Sequence, residues 1–148
     1  MSLIERIESD LREARLARDD ERRETLALIL DALQKAKKEL QRTLHDDEEL
    51  QVLQRERKRR LDAAEALREG ARTDQAQAEE AEAKLIEGYL PEQLSDGELS
   101  ELVASAVEES GASEPKEMGS VMKVLMPKVG GRADGKRVSQ AVREALGS

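Results

Sequence analysis

The residues best placed to do chemistry lie in one stretch, Met118 to Arg137, M-G-S-V-M-K-V-L-M-P-K-V-G-G-R-A-D-G-K-R. Its pattern predicts a short apolar helix stopped by Pro127, a Gly-Gly loop, and a new helix from Asp134 with Lys136 and Arg137 in its first turn. Gly130 to Arg137 mimics a phosphate-cradling P-loop, G-x-x-x-x-G-K. A working P-loop also needs Ser or Thr after the lysine and a β-strand before the loop. Here Arg137 takes the hydroxyl position, Asp134 puts an acid inside the loop, and a proline-ended helix precedes it. A simpler anion-binding reading survives. Gly130 and Gly131 allow backbone N–H groups to converge, and a helix start offers unpaired N–H donors with a partial positive charge. Lys136 and Arg137 oppose that dipole, and a local rule broken without evident compensation tends to mark function. The competing reading makes Asp134 an N-cap that offsets the misplacement and leaves both cations solvated. Glu108 and Glu109, at the C-terminal end of the fifth helix, break the same rule, and the sequence offers no account of them.

Other candidate chemistry falls away on inspection. The run from Arg55 to Arg60 is the densest basic segment, but consecutive helical residues point all round the axis, and Glu56–Arg60 and Lys58–Asp62 have the spacing of helix-surface ion pairs. Arg57 lies near an apolar stripe, so its stem is expected to pack while its head reaches out. His45 is the single histidine, and Asp46, Asp47, Glu48 and Glu49 beside it read as acids favoured at a helix start, with no metal implied. No serine sits in a Gly-flanked nucleophile turn and no second histidine exists to act as base. Met118, Met122 and Met126 follow helical spacing and read as core, as does Tyr89. No catalytic residue, metal site or cofactor is indicated.

Composition sets the frame that must position the loop. The chain has 148 residues, 39% of them charged, with one tyrosine, no Phe, Trp or Cys, and a net charge of -8. Without cysteine there are no disulfides, Fe–S clusters, thiolate zinc or cysteine nucleophile. No apolar run approaches the roughly 18 residues a membrane span requires, and Met1 to Asp10 carries acids where a secretory leader would carry bases, so a cytoplasmic location with no membrane role is expected. The acidic total argues against indiscriminate binding to polyanions. Its distribution is uneven. Residues 91–114 hold seven acids and no Lys or Arg, whereas residues 115–148 hold seven Lys or Arg against three acids, a net +4.

The abundance of Ala, Glu, Leu, Arg and Lys predicts an all-α protein. Ser2 and Glu5 form a capping box before the stripe Leu3, Ile4, Ile7, Leu11 and Ala14, which ends near Asp19. Asp20 is the expected cap of a second helix bearing Leu26, Ile29, Leu30, Leu33, Ala36 and Leu40. The third runs to about Glu69 with Leu50, Leu53, Leu61, Ala64 and Leu67 inward, and Gly70 is its expected left-handed cap. A fourth starts at Thr73 or Asp74 and is ended by Pro91. The boundary between an N-terminal antiparallel helical subdomain, 1–90, and a C-terminal three-helix tail, 91–148, is placed here. In the tail, Ser95 with Glu98 opens the fifth helix, which Gly111 ends; Ser113 with Pro115 opens the sixth; and the seventh spans Asp134 to Leu146.

Two stretches, E-E-A-E-A-K-L-I-E-G-Y-L-P-E-Q-L-S (Glu79 to Ser95) and M-G-S-V-M-K-V-L-M-P-K-V-G-G-R-A-D-G-K (Met118 to Lys136), resemble the GatB/YqeY family. The resemblance extends over nearly the whole chain. It implies two helical subdomains and kinship with the tail of the B subunit of the tRNA-dependent amidotransferase, in which the tail helps engage tRNA while amide transfer and glutamine hydrolysis occur elsewhere. Families of this kind are labelled carbon–nitrogen ligases with glutamine as amido donor, yet neither the amidase machinery nor the ATP-using domain has a counterpart here. Carried onto this chain, the RNA-facing positions are Lys123, Lys128, Arg132 and Lys136, to which the charge distribution adds Arg137 and Arg143. Gly130, Gly131, Asp134 and Gly135 would shape the loop. The expected partner is tRNA or another structured RNA. A partner amidase, or a helical scaffold role in which the long second and third helices pair with another protein or a second copy, are the other readings. The sequence leaves the oligomeric state open.

Overall fold

Ser2 opens the first helix as its spacing predicts, its hydroxyl accepting the Glu5 N–H at 3.1 Å. In the computed structural model, which describes residues 2–147, the chain forms two compact units, 1–90 and 91–148, and every regular element among the described residues is helical. The fold is all-α and multihelical.

The first unit contains α1 (Leu3–Leu16), α2 (Asp20–Leu40), α3 (Asp46–Glu69) and α4 (Thr73–Glu87). Between α1 and α2 the chain reverses at Arg18, whose φ is 55°. Asp19, one residue before the expected cap, takes the Arg22 N–H at 3.2 Å, and its own N–H donates to the Ala14 carbonyl at 3.0 Å. Ile7, Leu11, Leu26, Ile29, Leu33 and Ile86 make the centre of the core. The buried face of α3 differs from the expected stripe. Val52, Leu53, Glu56, Arg60 and Ala64 are buried, whereas Leu50, Leu61 and Leu67 are only partly so. Both α2 and α4 pack on this helix, so its buried face turns toward the seam between them. Arg57 behaves as expected, half-packed with Nε donating to Glu87 Oε1 at 2.8 Å.

Gly70 is not the left-handed residue; Ala71 is, at φ 60°. Helix α3 ends at Glu69 with Gly70 as a C-cap at φ -86°, and the Arg72 N–H then closes on the Leu67 carbonyl at 2.8 Å. Helix α4 ends at Glu87, and its C-cap Gly88 lies three residues ahead of Pro91. That early exit carries Tyr89 back to α1, where its hydroxyl donates to Asp10 Oδ2 and its ring lies 5.0 Å from the Arg6 guanidinium carbon. Burial first, and then the Asp10 bond, raise the phenol pKa.

The acids opening α3 do more than meet a dipole. Glu49 is buried and accepts the Ile4 N–H at 3.3 Å, joining the start of α3 to the start of α1. Glu48 receives Arg42 through two bonds, at 2.7 and 2.9 Å, and the His45 N–H at 2.8 Å. The Arg42 bonds, then the His45 N–H, lower its pKa from 4.5 to about 2. A carboxyl depressed on folding stabilises the fold above its unfolded pKa and loses that contribution as pH falls through the folded value. The melting temperature of Glu48→Gln is therefore expected to lie below wild type at pH 7, and the gap to narrow between pH 4.5 and about 2. A gap constant across that range would contradict this account.

The second unit contains α5 (Asp96–Ser110), a 3-10 turn (Pro115–Glu117), α6 (Met118–Val129) and α7 (Gly135–Ala145). Ser95 and Glu98 exchange the two bonds of the capping box at 3.0 and 3.1 Å. Pro115 opens the 3-10 turn and α6 follows at Met118, with Glu117 Oε1 taking the N–H groups of Ser113 and Glu114, both at 3.2 Å. Leu99, Val103, Val121, Leu125, Val138 and Val142 fill the interior between α5, α6 and α7.

Candidate nucleic-acid interface

Pro127 sits inside the last turn of α6 and does not stop it. The helix runs two residues further and ends where Gly130, at φ 55°, and Gly131, at φ 81°, turn the chain through left-handed geometry that residues with a Cβ adopt at a cost. Some of the loop's N–H groups are used within the unit. Gly130 N–H donates to the Met126 carbonyl at 3.2 Å and Arg132 N–H to the Val129 carbonyl at 3.0 Å. At the start of α7, Asp134 Oδ1 accepts the Arg137 N–H at 3.0 Å. The loop closes one helix and caps the next with its own groups.

Two of the six candidate cations serve the same purpose. Arg132 folds back onto α6, Nε donating to the Val129 carbonyl at 3.1 Å and Nη2 to the Lys128 carbonyl at 2.6 Å. This satisfies carbonyls at the negative end of the helix. Arg137 reaches to the segment before α5, Nη1 donating to the Leu94 carbonyl at 2.9 Å and Nη2 to Asp96 Oδ1 at 2.7 Å. The Leu94 N–H in turn donates to the Arg132 carbonyl at 2.8 Å, and Gln93 Nε2 approaches the Gly131 carbonyl at 3.5 Å. The misplaced cation in the first turn of α7 is thus compensated by a carbonyl and a carboxylate far away in sequence. The P-E-Q-L-S and G-G-R-A-D-G-K-R segments lie against each other, so much of what makes them conspicuous is mutual support.

Lys128 pairs with Glu109 at 2.5 Å, which explains an acid the sequence left unaccounted for. The remaining three candidates are exposed. Lys123 lies on the outer side of α6, opposite Val121 and Leu125. Lys136 and Arg143, seven residues apart, share the outer face of α7, opposite Val138 and Val142. Two helical turns separate them by about 10 Å. Among the described residues no cluster of three or more His, Asp or Glu could hold a metal, and no helix is long and apolar enough to cross a membrane.

One feature was not foreseen. Helices α2, α3 and α4 leave an open cleft of about 700 Å³, floored by Ala32, Ala36, Val52 and Ala63. The signal in the sequence was the small residues at positions 32, 36 and 63, which permit close helix approach yet fill little space.

A family model described as Yqey-like protein matches residues 4–146. Among curated proteins, the chain is 28% identical over 150 residues to "Altered inheritance of mitochondria protein 41, mitochondrial" of Pyrenophora tritici-repentis (strain Pt-1C-BFP), a match that covers 99% of this chain and 82% of that protein.

Proposed function

We propose, from the premise that the chain belongs to the Yqey-like protein family, that it is a binding module for structured RNA, with tRNA the first candidate. The observation that carries this reading is the cationic outer face of α7, where Lys136 and Arg143 stand exposed two turns apart in a segment of net +4. Lys123 adds an exposed positive charge on α6. Recognition would be of phosphates and shape, because a chain without Phe or Trp lacks platforms for stacking unpaired bases. Arg132 and Arg137 hold the loop that presents this face and are positioning residues in this reading. The kinship implied by the sequence motifs makes the tRNA of an amidation system the natural first ligand. Amide transfer itself would fall to a partner amidase. A cytoplasmic location belongs to the same proposal and is checked by fractionation.

The test is tRNA binding measured as a function of salt. Each phosphate contact steepens the fall of log K with log salt by roughly 0.7 to 0.9. Lys136→Ala with Arg143→Ala, both at exposed positions, is expected to weaken binding and to flatten the slope by about 1.4 to 1.8. Absence of tRNA binding by the wild-type chain at low salt, or an unchanged slope in the double variant, would overturn the reading.

A further inference from the structure

At its C-terminal end, α2 and the segment that leaves it enclose an open cleft of about 420 Å³, lined by Gln34, Lys37, Lys38, Gln41, Arg42 and Thr43. Every lining residue is polar and exposed, three are cations, and none is an acid. On a chain with 33 acids against 25 Lys and Arg, such a lining sets this surface apart. The acids nearby are accounted for. Glu48 is held by Arg42 through two bonds and Asp47 lies near the same guanidinium, so the charge of Arg42 is spent. Glu39 faces away and lines the cleft shared with α3 and α4. Lys37 and Lys38 take no ion-pair partner among the described residues, and their spacing puts them on one helical face with Gln34 and Gln41. The α2 dipole favours lysines in the last turn. That explains their position, but not two amides beside them in a lining without carboxylates.

We infer that this cleft is a second phosphate-contact surface for structured RNA, Lys37 and Lys38 supplying the charge and the side-chain amides of Gln34 and Gln41 the directed N–H donors. The inference rests on the RNA-binding reading above. What supports it is the number of contacts that reading needs. Lys123, Lys136 and Arg143 alone would give a salt slope of about 2 to 3, a weak hold for a molecule whose net charge of -8 repels polyanions at distance. Two further contacts bring the slope to about 4. With no aromatic or aliphatic side chain in the lining, the cleft meets phosphates and not base faces.

Binding of tRNA by the full chain between about 50 and 200 mM salt tests this. Wild type is compared with Lys37→Gln plus Lys38→Gln, with Lys136→Ala plus Arg143→Ala, and with all four changes together, each checked by circular dichroism for unchanged helicity. The α2 pair is expected to weaken binding and to flatten the slope by about 1.4 to 1.8, and the four changes together by about twice that. A control, Arg12→Gln plus Arg15→Gln, removes the same charge from exposed positions on α1 and is expected to leave the slope unchanged. If wild type binds tRNA and the α2 pair keeps its slope, as it would were the cleft to hold an acidic protein segment, this inference is overturned and the α7 face stands. Equal flattening by the control would assign the effect to net charge alone and overturns it as well. A slope that falls in the α2 pair but not in the α7 pair keeps the cleft and removes the α7 face. No tRNA binding by wild type at low salt overturns both.

Discussion

Arg60→Met is expected to lower the unfolding free energy by about 3 to 5 kcal/mol, the cost of stripping one partner from a buried ion pair. Arg60 is 7% exposed and Glu56 8%. The guanidinium donates from Nε to Glu82 Oε2 at 3.2 Å and from Nη1 to the Glu56 carbonyl at 2.9 Å and its carboxylate at 3.3 Å. Without it, Arg59 still faces Glu56, so Glu82 bears most of the loss. Desolvation first, and then Glu79, already raise the Glu82 pKa, and Arg60 is what restrains it. A carboxyl raised on folding contributes its stability in full below the unfolded pKa and loses it as pH climbs through the folded one. Removing Arg60 raises Glu82 further, so the deficit of Arg60→Met should be largest at neutral pH and shrink as pH falls toward 4.5. Urea unfolding of both chains at pH 7 and pH 4.5 measures this. An equal deficit at both would mean that lost packing of the arginine stem, and not charge, is responsible. Arg60→Met combined with Glu82→Gln should recover much of the neutral-pH loss, because the uncompensated charge is gone.

Arg60 also marks where the sequence stops being legible. Local signals translate directly into structure: Ser2 accepts the Glu5 N–H and Ser95 with Glu98 forms a full capping box, and Ile7, Leu11 and Ala14 of α1 and Leu26, Ile29 and Leu33 of α2 are buried as spaced, although Leu40 at the end of the α2 stripe is exposed. These features depend on residues three or four apart. The face of α3 depends on two neighbours, and a period alone cannot say which seam between them it enters. Hence Arg57 drew notice while Arg60, one turn's rotation away, lies buried. The candidate site divides the same way. Its glycines and its N-cap Asp134 were readable as local geometry. That Arg137 has a compensating partner was not, since the Leu94 carbonyl and Asp96 approach it only through the packing of α5 against α7. Glu109 looked misplaced at the end of α5 for the same reason, and Lys128 answers it from α6. A cation that breaks a helix-terminus rule is evidence for function only after distant carboxylates and carbonyls have been placed.

Leu125→Ala is expected to cost about 3 kcal/mol, within the range for removing most of a buried leucine side chain, and to lower the melting temperature of the affected unit by more than about 10 °C. Leu125 has no exposed surface and lies among Val121, Val129, Val138 and Val142. None of the buried residues of that cluster belongs to the core formed by residues 7–86. A core this small leaves a modest margin of stability, so the loss should fall on the unit that carries Lys136 and Arg143. The chain supplies its own reporter for the other unit. Tyr89 is the sole aromatic, bonded to Asp10 on α1, so its fluorescence follows residues 1–90 while far-ultraviolet circular dichroism follows all the helices. In Leu125→Ala, part of the helical signal should melt early while the tyrosine transition stays in place. In Leu33→Ala, which opens the other core, the tyrosine transition should move. Were both probes to shift together in Leu125→Ala, the two cores would be one cooperative unit. If they separate, tRNA binding measured across the melt should vanish with the early helical transition and before the tyrosine one, which assigns the binding surface to a unit without relying on any single cation.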